Sequence, residues 1–145
     1  MLIQHPLSRT ELLIGKEALD TLRAKRVAVL GVGGVGSYAV EALARCGIGR
    51  LLIVDDDTVC LTNINRQLHA TLKTIGEKKV SVMAERIAEI DSKVEVDARC
   101  FCIKPDNLET LFEDGVDYVI DAIDTVTAKL ALVEYCHDRH IPLIS

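Results

Sequence analysis

Arg26-Val27-Ala28-Val29-Leu30-Gly31-Val32-Gly33-Gly34-Val35-Gly36 is the stretch that decides the fold. Its first five residues form a run of strand length, rich in β-branched and apolar side chains, and the glycines follow at once. From Gly34 onward Val35, Ala39, Ala42, Leu43 and Cys46 recur at helical spacing until Gly47-Ile48-Gly49 supplies a stop. Strand, glycine turn and helix in that order open a βαβ unit. Small residues in such a turn let the backbone approach a phosphate, and the N–H groups and dipole at the helix start favour an anion. Gly31, Gly33, Gly34 and Gly36 are therefore candidate phosphate-binding residues.

Upstream, Leu12, Leu13, Ala18, Leu19 and Leu22 predict a short amphipathic N-terminal helix in an arm over residues 1–25. Downstream, strands are expected at Leu51–Val54, Val94–Cys102 and Tyr118–Ile120, and Ile141–Ser145 reads as a strand cut short. Helices are expected around Val80, Met83 and Ile87, over Asp106–Phe112, and along Val126, Leu130, Val133 and His137. Strands without two-residue alternation, separated by helices, imply a parallel sheet covered on both faces. The prediction for residues 26–145 is a Rossmann-like, doubly wound α/β domain with a mainly parallel sheet.

At 145 residues and 49% hydrophobic content the chain suffices for one domain with a real core. A net charge of −5 argues against a general nucleic-acid binder held by counterion release, although Arg23, Lys25, Arg26, Lys78 and Lys79 cluster locally. Met1 to Pro6 lack the charged start and apolar run of a signal peptide, and no stretch approaches the ~18 apolar residues of a spanning helix, so a cytoplasmic location is expected. Five cysteines without C-x-x-C spacing suggest neither a disulfide framework nor a zinc site. Buried or half-buried reduced thiols are expected at all five, with Cys100 and Cys102 on opposite faces of the third strand.

The polar clusters fall at the carboxyl ends of the expected strands, where open α/β sheets bind ligands. Asp55 stands about twenty residues past the glycine turn, where an acidic side chain accepts hydrogen bonds from a ribose. NAD and ATP fit equally well to this point. Asp57 is a candidate cofactor-binding residue, or a cap or brace for the loop that follows. Arg66 and Lys79 are candidates to grip a triphosphate, with Asn63 and Gln67 as neutral supports and Asp124 as a carboxylate for Mg²⁺. A dehydrogenase has no need of several cations aimed at its pyrophosphate, which favours ATP over an NAD(P)-dependent oxidoreductase. His69, His137 and His140 receive no role.

The glycine turn, Asp55 to Asp57, Thr62-Asn63-Ile64-Asn65-Arg66-Gln67, Lys79 and Asp121-Ala122-Ile123-Asp124, in this order and spacing, resemble the ThiF/MoeB/HesA family, bacterial relatives of ubiquitin-activating enzymes. Val59 to Gln67, Val82 to Ile87 and Val119 to Asp124 are most similar to its branch of tRNA threonylcarbamoyladenosine dehydratases. The resemblance implies an adenylating enzyme that uses ATP and Mg²⁺ to cyclise the threonylcarbamoyl side chain on adenosine 37 of tRNA. By the same resemblance Asp55 binds ribose, Asn63, Arg66 and Lys79 hold phosphates, Asp124 serves the magnesium, and Arg9 reaches the active site of the partner in a homodimer. The catalytic set is thus Arg9, Arg66, Lys79 and Asp124. The family also contains enzymes that adenylate the Gly-Gly terminus of a ubiquitin-like sulfur-carrier protein, and that acceptor, like a non-catalytic nucleotide-binding scaffold, stays open. The resemblance further implies a domain truncated at its C-terminal side, able to bind nucleotide yet turning over poorly.

Overall fold

The structure, a computed structural model, describes residues 4–145; the expectation about the extreme N-terminus falls partly on residues 1–3, outside the described residues. The N-terminal arm contains two helices, α1 (Ser8–Ile14) and α2 (Lys16–Ala24), instead of one continuous helix. Gly15 between them has φ 85°, a left-handed conformation that ends α1 and turns the chain into α2. Leu12 and Leu13 consequently stay in solvent, while Leu19 of α2 is buried.

Five parallel strands follow: β1 (Arg26–Leu30), β2 (Arg50–Val54), β3 (Glu95–Arg99), β4 (Tyr118–Asp121) and β5 (Leu143–Ile144), in the spatial order β3-β2-β1-β4-β5. The crossovers carry α3 (Gly36–Cys46), α4 (Lys79–Ile90), α5 (Leu108–Leu111) and α6 (Val126–Asp138). Alternate residues of each central strand enter different cores. Val27, Val29, Leu51 and Ile53 pack with Val40 and Ala44 of α3 and Met83 and Ile87 of α4. Ala28, Leu30, Leu52 and Val54 pack with Leu111 of α5 and Leu132 and Cys136 of α6. Both faces of the sheet are thus covered, which explains why β1 reads as a continuous apolar run.

β3 ends at Arg99, shorter than the Val94–Cys102 expected. Arg99 pairs with Val54, the last residue of β2, so nothing remains for the next residues to pair with on that side. Cys100 and Cys102 therefore lie on an exposed loop and not on two faces of a strand. Burial of the thiols holds only for Cys136; Cys46, Cys60, Cys100 and Cys102 are exposed, because they occupy a helix end and loops instead of core positions. The helix expected over Asp106–Phe112 is a 3₁₀ turn (Pro105–Asn107) leading into α5. No helix among the described residues is long and apolar enough to cross a membrane.

Candidate functional site

Register puts the candidate residues on one edge. Leu30 pairs with Val54 and with Asp121, and Val54 with Arg99, so four strands end at one level. The next residue of each chain segment, Gly31, Asp55, Cys100 and Ala122, begins the carboxyl rim. β1 lies between β2 and β4, where the winding of the sheet reverses and α/β sheets open a crevice. A hollow of about 640 Å³ occupies that place, within the range of small-molecule sites. It is lined by Gly31, Gly33, Gly34, Asp55, Asp57, Asn63, Arg66, Gln67, Lys79 and Asp124, among others. Of the candidates only Gly36 and Arg9 are not in its wall.

The glycines divide into two kinds. Gly31 has φ 88°, and a Cβ there would come within 2.5 Å of the Ala122 carbonyl oxygen; a Cβ on Gly36 would come within 1.7 Å of the Gly31 carbonyl oxygen. Those two are demanded by the closeness of the backbone segments. Gly33 and Gly34 have ordinary φ, and a Cβ would meet only side-chain atoms at 3.6–3.7 Å and the Arg66 carbonyl at 3.8 Å. Nothing in the fold requires glycine at these two positions. What a methyl group there would fill is the hollow itself, a cradle suited to a phosphate approaching the backbone.

Asp55 holds this loop. Its Oδ2 accepts the Val32 N–H at 2.7 Å and its Oδ1 accepts the Asp57 N–H at 2.9 Å. A carboxylate has further lone pairs, so a ribose hydroxyl can still be accepted. Lys79 is only 4% exposed, and its Nζ donates to Asp57 Oδ2 at 2.7 Å. As the first residue of α4, Lys79 stands where a cation opposes the helix dipole, and its ion-pair partner among the described residues is Asp57. Asp57, named as a brace for the loop, serves as the anchor for this lysine.

The segment between β2 and α4 supplies the opposite wall. Asn63 and Gln67 are buried; Asn63 Oδ1 accepts the Cys60 N–H at 2.9 Å, while Gln67 Oε1 is buried with no protein partner among the described residues. Arg66 is exposed, its Nη1 donating to the Thr62 carbonyl and to Asn65 Oδ1 while its stem passes the Gly34 backbone. Carboxylate oxygens of Asp55, Asp56 and Asp57 come within 4.8 Å of one another, but Asp55 is taken up by two N–H groups and Asp57 by Lys79. Asp124 is exposed on the rim and has no ion-pair partner among the described residues, which leaves it available to a cation shared with phosphates. Arg9 lies on α1 in a separate hollow with His5, Glu11 and Lys16, away from this one.

Three features of the site were not read from the sequence. Phe101, Cys102 and Ile103 form part of the wall, because β3 stops early and frees them for the rim. Asp121 is fully buried as a side chain, accepts the Ile123 N–H at 3.0 Å, and binds Lys129 Nζ at 2.7 Å, which fixes the turn that presents Asp124. His69 is 2% exposed and bonds through Nε2 to the Val32 carbonyl at 2.7 Å. Burial holds its pKa below the ordinary histidine value, against the opposing effect of that carbonyl. Only the spacing from Asp121 to the second turn of a helix could have pointed to Lys129; for His69 no local signal exists.

Comparison with known proteins finds relatives in sequence and in fold. The ThiF family model matches residues 7–145. The chain is 55% identical to the tRNA threonylcarbamoyladenosine dehydratase of Bacillus subtilis (strain 168), an alignment covering 97% of this chain and 56% of that protein. It is 46% identical to the enzyme of the same name from Escherichia coli (strain K12), over 94% of this chain and 51% of that one. The crystal structure of E. coli tRNA N6-threonylcarbamoyladenosine dehydratase, TcdA, in complex with ATP superposes with a TM-score of 0.93 at 45% identity, covering 95% of this chain and 57% of that chain. The chain thus spans about half the length of the curated relatives it matches. A family model that covers nearly every described residue, and a glycine cradle, buried lysine and rim carboxylate gathered into one hollow, lead to one conclusion: the chain belongs to the ThiF family.

Proposed function

We propose that the hollow binds ATP and that the protein adenylates an acceptor carboxylate, the threonylcarbamoyl group on adenosine 37 of tRNA, in the course of cyclising it. The observation that carries this reading is the 55% identity to a tRNA threonylcarbamoyladenosine dehydratase across nearly the whole chain, with the candidate residues gathered in one hollow. In this reading the N–H groups around Gly33 and Gly34 receive phosphate oxygens, Asp55 and its neighbours face the ribose, and Asn63, Arg66, Gln67 and Lys79 surround the remaining phosphates. Asp124 would hold a Mg²⁺ ion, since such ions take one or two carboxylates and complete their shell with substrate and water. Such an ion would supply neutralisation of phosphate charge.

The acceptor carboxylate attacks the α-phosphorus, the bond to pyrophosphate breaks, and an acyl-adenylate results. A nitrogen of the modified nucleoside then captures the carbonyl, closing a ring and releasing AMP and a proton. The protein's contribution is orientation and charge neutralisation. Arg9, which lines a different hollow, is assigned to the partner's site in a homodimer. The proposed reaction is a cytoplasmic one. A sulfur-carrier acceptor has no comparable observation in its favour.

The test uses the protein in its full native length with ATP, Mg²⁺ and threonylcarbamoylated tRNA, followed by nucleoside mass spectrometry. Loss of one water from the modified nucleoside is expected, and an unchanged mass refutes the assignment.

A further inference from the structure

The geometry points to His69 as a positioning residue of the nucleotide site: its imidazole fixes the Val32 carbonyl and thereby aims the Gly33 N–H into the hollow. This inference rests on the reading of that hollow as a phosphate site. The Val32 carbonyl and the Gly33 N–H belong to one planar peptide unit, and no cis peptide bond is present among the described residues, so the two groups point in opposite directions. Val32 is fully buried, and its carbonyl meets His69 Nε2 at 2.7 Å inside the protein. The Gly33 N–H must then face away from the interior, toward the hollow that Gly33 lines, and no acceptor for it exists among the described residues.

Two side chains thus hold the peptide groups of one residue. Asp55 Oδ2 accepts the Val32 N–H at 2.7 Å, and His69 donates to the Val32 carbonyl at the same length. Donation to a carbonyl requires the proton on Nε2, which leaves Nδ1 as a bare acceptor; Nδ1 is buried without a partner among the described residues. An unsatisfied buried atom is costly, and it is retained here beside the one loop whose N–H direction matters for ligand binding. The charged groups that face this ring are Lys79 and Asp55. A neutral donor at this position holds the carbonyl without adding a second buried cation beside Lys79.

A donor that only supported the fold would affect all ligands alike, whereas one that aims an N–H at a phosphate affects phosphorylated ligands alone. Binding of ATP, AMP and adenosine is therefore measured by calorimetry for the wild-type protein, His69→Leu and His69→Gln. The leucine variant should bind ATP and AMP about five- to tenfold more weakly, the worth of one lost hydrogen bond, with adenosine unchanged. The glutamine variant, which restores an amide donor, should recover most of the loss. Equal ATP affinity in His69→Leu and wild type, or equal weakening of adenosine, overturns the inference; failure of the wild type to bind ATP overturns the nucleotide reading instead. Long-range ¹H–¹⁵N correlation on the unmutated protein gives a check independent of variant folding, with His69 expected as the Nε2–H tautomer. An Nδ1–H tautomer contradicts the inference.

Discussion

Lys79 Nζ lies 2.7 Å from Asp57 Oδ2, and the two groups are unequally placed, the lysine buried and the aspartate side chain largely in solvent. A buried ammonium at a helix start is held by one partner whose side chain stands largely in solvent. On the proposed function, that arrangement keeps a cation ready for a phosphate. Lys79→Met removes the charge while preserving the packed stem. ATP affinity is expected to fall at least tenfold, an effect calorimetry will detect, with adenosine affinity retained.

The four glycines of the loop should separate under alanine substitution. Gly31→Ala and Gly36→Ala drive a Cβ into backbone at 2.5 and 1.7 Å, so both should lower Tm severely or prevent folding. Gly33→Ala and Gly34→Ala meet no atom closer than 3.6 Å and should fold with nearly unchanged Tm while losing ATP binding. Thermal denaturation combined with ATP titration of the four variants distinguishes the two classes. Intact ATP binding in Gly33→Ala and Gly34→Ala would mean that the cradle holds no phosphate.

Stability should depend on pH through His69. Burial, the largest influence, holds its folded pKa below the unfolded value near 6.5, so the unfolded chain takes up the proton first. The contribution of this residue is therefore complete above about pH 7.5 and is lost as the pH falls through about 6.5 toward the lowered folded value. Urea midpoints of the wild type should drop between about pH 7.5 and 5.5 more steeply than those of His69→Leu. Parallel profiles would show that the histidine is not buried neutral.

Lys129 should matter more for stability than its half-exposed position suggests. Its removal leaves the Asp121 carboxylate, fully buried as a side chain, with only the Ile123 N–H. Lys129→Met is expected to cost about 2 kcal/mol and to lower Tm by roughly 6 °C, less than for a fully buried pair because solvent reaches the lysine. Differential scanning calorimetry measures this directly, and an unchanged Tm would show that Asp121 is satisfied without the pair.

Much of this architecture could be read from local pattern. Val27 to Leu30 and Leu51 to Val54 are apolar throughout, and only a strand covered on both faces explains that; the glycine turn then fixed the start of α3. The candidate residues followed, because register brings strand ends to one level whatever the loops do. Where the reading went astray, tertiary partners decided. β3 stopped at Arg99 because β2 offered no further pairing, and Gly15 divided the N-terminal helix by a dihedral angle that periodicity does not reveal. Four of the five cysteines, Cys46, Cys60, Cys100 and Cys102, lie on loops and at a helix end, where composition alone suggested burial. His69 was invisible for the same reason, since its partner is a carbonyl 37 residues earlier in the chain.

The proposed function requires the hollow at the carboxyl edge to hold the phosphates of ATP. Calorimetric titration of the purified protein with ATP–Mg²⁺ and, separately, with NAD tests it most directly. Saturable binding of ATP that Lys79→Met and Gly34→Ala both weaken is expected, with no binding of NAD under the same conditions. Saturable binding of NAD with none of ATP would contradict it.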